Sequence, residues 1–582
     1  MNQPLDAQIG EALALVIDGN TGTRRALANM LRDFGVTRIE QTGRPQDARG
    51  MLEIRPFDIV LCEHHFPGEP MNGQELMDDL RQAGVLPLSC VVVMISGEAN
   101  YGHVAEAAEV ALDAYLLKPH TPDALRVRLR QARERKRALA TVFELINERQ
   151  FENAAVQAEA LVDARGQVWL QAARIAADLW LRLGRPADSE RLLELVLQNG
   201  ALPWARLGLA RAQTESGAVF RARRTLESLI TDLPGYTDAY DVLGRVLFEQ
   251  GDVPAALQAL GQAARITPHS VARQVKLGVM QFYFGEAGDA AASLAQAVRL
   301  GASSRSFDLQ GLMLLAALQF EAGDARGLMS SVALLERTLA TAPESPRLQR
   351  FASVLQVLLA LLERRVVEAL AAIRAMVDEI AEPSFDFEAG CNLLMLLARL
   401  DSKEIHLPEL PEQVGRLASR FAVSRATCDL LCAALRAGHE LVPTVRAEYE
   451  RINAIAQQAV GHTVAGEPDQ AATLLLAGAE RTLNAKLMDL AASTIQRHRE
   501  SIADADGLQQ RLQALNDTYR SYGTQLRVAR VDDPRTLTGA ARPEAVPLDG
   551  VDAAVAADPA VDPAVDPAAV AAAGDAAGTV AS

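Results

Sequence analysis

Cysteine, aromatic side chains and positive charge are all scarce in this chain. Of 582 residues five are cysteine, Cys62, Cys90, Cys391, Cys428 and Cys432, an odd set with no Cys-x-x-Cys pair, so no disulfide framework is expected. Cys428 and Cys432 stand one turn apart on a predicted helix, but no histidine cluster accompanies them, and they read as small buried hydrophobes rather than metal ligands. The opening MNQPLDAQIGE lacks the charged and apolar blocks of a secretory signal, which points to the reducing cytoplasm. Long apolar runs are missing too. VLQVLLALL, residues 354–362, ends at Glu363-Arg364, well short of a membrane span.

Aromatic residues make up 4% of a composition that is 49% hydrophobic, so the apolar content is mostly Ala, Leu and Val, which favours helix over strand for most of the length. Lys and Arg number 58 against 74 Asp and Glu, a deficit that disfavours general binding to phosphate backbones. Part of the acidity is local. Residues 531–582 hold nine acids and two arginines, with six prolines and almost no large apolar residue. Such a segment cannot bury enough surface to offset chain entropy, and a disordered Ala/Asp/Pro/Val tail is expected. A chain of this length exceeds what one core supports, so further domains or a repeat array must fill the rest.

Over residues 10–137, short apolar runs alternate with amphipathic stretches. The predicted strands are Leu13–Ile17, Thr37–Gln41, Ile59–Cys62, Cys90–Ile95 and Ala114–Leu117. Predicted helices lie at 22–34, 45–54, 72–83, near 102–111 and from Pro122. Five βα units in a row predict a doubly wound parallel sheet of flavodoxin-like type, with ligands beyond the carboxyl ends of the strands. Polar residues appear at those ends: Asp18 after the first, Glu63 after the third, Ser96 after the fourth and Lys118-Pro119 after the fifth.

This order and spacing, with Pro67 and Gly73 after the third strand, resembles the receiver domain of bacterial two-component response regulators. In that family an aspartate stands where this chain has Glu63 and accepts a phosphoryl group. The resemblance implies that consecutive acids after the first strand join the acceptor in holding Mg²⁺. Here only Asp18 remains and Gly19 fills the second position, so Mg²⁺ binding is expected to be weak or absent, with Asp18 and Glu63 as its only candidates and no other metal site. The segment from Pro67 to Gly73 is also longer than the usual family loop. By the same resemblance Lys118-Pro119 is a cis peptide that aims the lysine, and Tyr115 matches the aromatic residue that swings inward on activation. Three readings of Glu63 follow: a fixed anion that populates the active-like state, an inert counter-charge to Lys118, or a residual phosphoacceptor.

RVRLRQARERKR, residues 126–137, invites a nucleic-acid reading. However, Leu125, Leu129 and Ala132 form an apolar stripe opposite Arg126, Arg130, Arg133 and Arg137, as a surface helix packed on a sheet would show, and no aromatics interleave. No helix-turn-helix signature follows, so a DNA-binding regulator is disfavoured. With no Gly/Ser/Pro linker before Ala138, this helix is expected to run straight into the next domain.

Residues 138–528 carry a repeat. Leu243, Gly244, Gly251, Ala256, Leu260 and Ala263 recur 34 residues later as Leu277, Gly278, Gly285, Ala290, Leu294 and Ala297. Gly217, Ala222, Leu226, Leu229 and Pro234 precede their counterparts by the same interval, and Trp204-x-x-Leu207-Gly208 opens an earlier copy. This is the tetratricopeptide (TPR) pattern, an all-α solenoid in which Gly and Ala let helices close on one another. Weaker copies lie around 151–166, 184–197, 323–343 and 466–478, residues 345–460 drift from the pattern, and 486–526 are expected to cap the array. Lone histidines such as His269, His406, His439 and His462 read as surface or capping residues.

No nucleotide, nucleophile or metal motif stands out, so a non-enzymatic signalling adaptor is expected. Protein partners would sit on the concave face of the array, and a histidine kinase or a second receiver would pair with the first domain. Neither nucleic acid nor membrane is implied.

Overall fold

The computed structural model describes residues 4–520 except 70, 83–84, 98–112, 302–306, 341, 401–408 and 436–438. The helix expected near 102–111, His406 and the tail at 531–582 lie outside the described residues, as does the end of the array beyond 520.

Five parallel strands, β1 (Leu13–Ile17), β2 (Arg38–Thr42), β3 (Ile59–Glu63), β4 (Val91–Ser96) and β5 (Ala114–Leu117), form one sheet in the order β2-β1-β3-β4-β5. Their side chains alternate between two cores. Leu13, Leu15, Ile17, Val60, Cys62, Val92 and Met94 face helices α2 (Pro45–Ile54) and α3 (Gly73–Gln82). Ala14, Val16, Ile59, Leu61, Val93 and Ile95 face α1 (Thr21–Asp33) and α4 (Pro122–Ala138). The central strands β1, β3 and β4 are buried along their whole length, whereas β2, RIEQT, is a half-exposed edge that buries only Thr42. Glu63 and Ser96 extend their strands by one residue beyond the apolar run, because their backbones still pair with Ile95 and Leu117.

Only Leu139 separates α4 from the next helix, Ala140–Asn147, so the sheet domain passes into the array without a linker. From there to Asp378 seven helix pairs follow, among the described residues, from Ala140–Asn147 with Phe151–Asp163 to Pro346–Leu362 with Val366–Asp378. The glycines explain how the pairs close. A Cβ on Gly244 would lie 2.8 Å from Leu260 Cγ, and one on Gly278 2.6 Å from Leu294 Cγ, so the first helix of each pair receives a leucine of the second where a side chain is missing. Gly184, Gly217, Gly251 and Gly323 take positive φ in the turns within pairs, the left-handed conformation glycine adopts without strain. The pairs fit the tetratricopeptide pattern read in the sequence. At the same turn position two pairs carry arginine instead, Arg149 with φ 63° and Arg364 with φ 61°.

Beyond Asp378 the pairing loosens into Phe387–Leu400, Leu410–Phe421, Arg425–Ala434, the long Val442–Val464, Pro468–Thr482, Ala485–Arg497 and Ala505–Leu515. No helix among the described residues is long and apolar enough to cross a membrane. All five cysteines are free, and all but Cys432 are buried.

Candidate functional site

The sheet brings its polar strand ends together. Asp18 directly follows β1, Glu63 ends β3, Ser96 ends β4 and Lys118 follows β5, whose N–H donates to the Ser96 carbonyl at 2.7 Å. Asp18, Glu63 and Ser96 are buried. The Lys118 ammonium lies 3.1 Å from Asp18 Oδ2 and is hydrogen-bonded to Glu63 Oε2, so one cation joins two carboxylates. The Lys118-Pro119 bond is cis. Tyr115 is half-buried on β5, opposite Met94, against the core under α2 and α3.

Each carboxylate has a second set of donors. Glu63 Oε1 accepts the backbone N–H of His64 at 3.0 Å and of His65 at 3.3 Å. Asp18 Oδ1 accepts from Asn20 N–H at 2.7 Å, and the Asn20 side chain in turn caps α1 through Gly22 and Thr23. Arg24 donates to the Asp18 carbonyl, which places a guanidinium at the same edge.

Burial alone would depress the Lys118 ammonium, but Glu63 and Asp18 outweigh it and hold its pKa above the usual lysine value. Burial, helped by the charge of Lys118, pushes His120 down. Behind the site Cys62 is fully buried, and burial, with Glu63 and Asp18 added, pushes its thiol far above the usual range, so it stays protonated.

The loop after β3 is packed against the site rather than hung over it. Phe66 is buried, and the first residue of α3, Gly73, donates to the His64 carbonyl at 2.8 Å. A Cβ there would sit 2.0 Å from the Glu63 carbonyl oxygen, so only glycine fits. Gly19, at the second acidic position of the family pattern, is different. An added Cβ would meet Gly43 O, Phe66 and Pro67 at no less than 3.8 Å, so room for a side chain exists.

Most of the basic run of α4 is absorbed within the fold. Arg133 and Arg137 bind Asp6, Lys136 binds Asp113 at 2.9 Å and the Leu88 carbonyl at 2.7 Å, Arg135 donates to the Asp113 carbonyl, and Arg126 stacks over Phe34. These bases tie the helix to the N-terminal segment and to the ends of β4 and β5, a structural role the charge count alone did not disclose. His269, read from sequence as a surface residue, instead approaches Glu75 of α3, with Nδ1 3.5 Å from a carboxylate that is otherwise buried.

Within the array, the inner face is not open along its whole length. Leu309 to Leu318 are buried without exception, and Phe387 to Ala398 likewise. Gln310 and Asn392 exchange two amide hydrogen bonds of 2.9 Å in the interior, and helix Arg425–Ala434 touches Thr237–Glu249 and Val271–Phe284. A helix apolar on every side must be enclosed. The expected concave binding face is therefore partly occupied by the chain's own later helices.

A doubly wound domain with an acid, a second carboxylate and a lysine at the carboxyl ends of β1, β3 and β5 defines a receiver-type pocket. Residues 14–130 match the response regulator receiver domain family. Over 121 residues the chain is 31% identical to chemotaxis protein CheY-3 of Vibrio cholerae, covering 21% of this chain and 91% of that protein. It is 30% identical over 121 residues to chemotaxis protein CheY of Pseudomonas aeruginosa, covering 95% of it. Through this domain the chain belongs to the receiver family. Similar solved structures include chemotaxis response regulator CheY4 of V. cholerae, at 21% identity over 21% of this chain and 98% of that one, with a TM-score of 0.19. A thermophilic TPR protein of Thermus thermophilus is 28% identical over 31% of this chain and 97% of its own, with a TM-score of 0.25.

Proposed function

We propose that this protein is a non-enzymatic, cytoplasmic signalling adaptor of a two-component type system. Its receiver domain holds a permanent anion at Glu63 in place of a transferable phosphoryl group, and its repeat array binds partner proteins. One observation carries this reading: both oxygens of Glu63 are already engaged, one by Lys118 and one by two backbone amides. An attacking carboxylate oxygen would have to leave those donors, whereas a fixed anion is stabilised by them.

Mg²⁺ binds this pocket weakly or not at all in this reading. Asp18 and Glu63 share one ammonium, Gly19 offers no ligand, and Arg24 adds a further cation. A hard divalent ion needs several free oxygens. A histidine kinase or a second receiver domain is the natural partner class of the sheet domain, and other proteins that of the inner face of the early repeats.

The test is incubation with acetyl phosphate and Mg²⁺ followed by intact mass. No adduct is expected, and a stable gain of about 80 Da, the mass of HPO₃, would overturn the reading. Glu63→Ala should weaken partner capture, and unchanged capture would reject the fixed-anion role. Because Gly19 has room for a side chain, Gly19→Asp with Glu63→Asp should restore metal-dependent phosphorylation in the same assay.

A further inference from the structure

The sheet domain meets the repeats across a cleft of about 490 Å³, with Arg49, Glu53 and Glu69 on one wall and Gln296, Arg299 and Leu300 on the other. Domain interfaces within a chain that leave such a space unfilled permit relative motion. The start of α3, residues 72–75, is bound both to the pocket and to the array. On the pocket side Gly73 sits on the Glu63 carbonyl and donates to the His64 carbonyl. On the array side Asn72 and Glu75 cap each other, Glu75 N–H to Asn72 Oδ1 at 2.8 Å and Asn72 N–H to Glu75 Oε2 at 3.0 Å, and the same Oε2 faces His269. His269 lies in the turn between repeat helices Val253–Ile266 and Val271–Phe284.

We propose that the start of α3, residues 72–75, acts as a lever that reports the state of the Glu63–Lys118 pair to the repeat array through the Glu75–His269 contact. The proposal rests on the reading of Glu63 as an anion held by Lys118. A shift of the Glu63 carboxylate pulls on the His64 and His65 amides, moves the Gly73 end of α3, and so alters the distance from Glu75 to His269. The coupling is physical because a single rigid helix start is bound by both sites.

Amide hydrogen exchange on the full chain tests it. Lys118→Ala should raise exchange in peptides spanning 64–75 and also in peptides spanning 264–276, by about five-fold, since local opening sets these rates. In the His269→Ala background the same change should raise exchange in 64–75 only. Should Lys118→Ala unfold the domain, Glu63→Gln keeps the size and removes the charge, and Glu75→Gln replaces His269→Ala while leaving the cap acceptor. The lever is overturned if repeat peptides ignore the pocket variants, or respond equally with and without His269. A phosphoryl adduct in the mass experiment would instead overturn the fixed-anion reading, whatever the exchange shows.

Discussion

The two halves of this molecule hold themselves together by opposite means. In the sheet domain, polar groups gather at one edge, Asp18, Glu63 and Lys118, and the close approach of Gly73 to Glu63 makes the site part of the packing. In the array, charges are distributed, each buried arginine tying two or three helices. Arg347 reaches Asp308 and Glu388, and Arg273 reaches Asp238 and Asp241. The stability cost of change in the first region is therefore expected to stay within its own domain, and in the second to spread across several helices.

The largest effect should come from the array. Arg347→Ala leaves Asp308 and Glu388 without their shared cation in a buried site, and a loss of roughly 3–5 kcal/mol is expected, read as a lower urea midpoint. A loss under about 1 kcal/mol would show that these charges are hydrated and the contrast false. Next, Gly73→Ala forces a Cβ onto the Glu63 carbonyl and should cost about 3 kcal/mol, confined to the sheet domain by exchange protection.

The two regions should also soften at opposite ends of the pH scale. Burial would raise Asp238, but Arg273 with Arg211, Lys276 and Arg174 holds it below its ordinary 3.8. Its contribution is therefore complete above that value and disappears as pH falls through the lower folded one. Lys118 is held above 10.5, so its contribution is complete below 10.5 and disappears as pH rises through the higher folded value. Thermal scans should lose acid sensitivity in Asp238→Asn and alkaline sensitivity in Lys118→Met; parallel profiles in both would break the distinction. The smallest change is Gly261→Ala. This glycine lies inside helix Val253–Ile266 with open space where a Cβ would go, and a gain of roughly 0.5–1 kcal/mol is expected in the same urea titration.

What could be read from sequence divides along the same line. Asp18, Glu63, Ser96 and Lys118 were visible because each interrupts an apolar run, and hydrophobicity marks a buried strand well. It marks the last residue poorly: Glu63 and Ser96 still pair in the ladder, since backbone hydrogen bonds do not depend on side-chain polarity. In the array the 34-residue period faded where Arg364 replaced the turn glycine. A left-handed arginine costs only about 1–2 kcal/mol, which neighbouring packing offsets, so the helix pair persists after its signature is gone. The Glu75–His269 contact had no local signal at all, because its partners lie in different domains and neither belongs to a periodic pattern.

The reciprocal amide pair of Gln310 and Asn392 has a thermodynamic corollary. Linear repeat arrays melt from their ends, each unit answering only to its neighbours. Here a bond between units that are not adjacent, together with the touch of Arg425–Ala434 on Thr237–Glu249, turns the middle of the array from a line into a loop. A loop has no frayed end from which to begin, so the segment between those helices should melt as one cooperative block while the first repeats remain free to breathe.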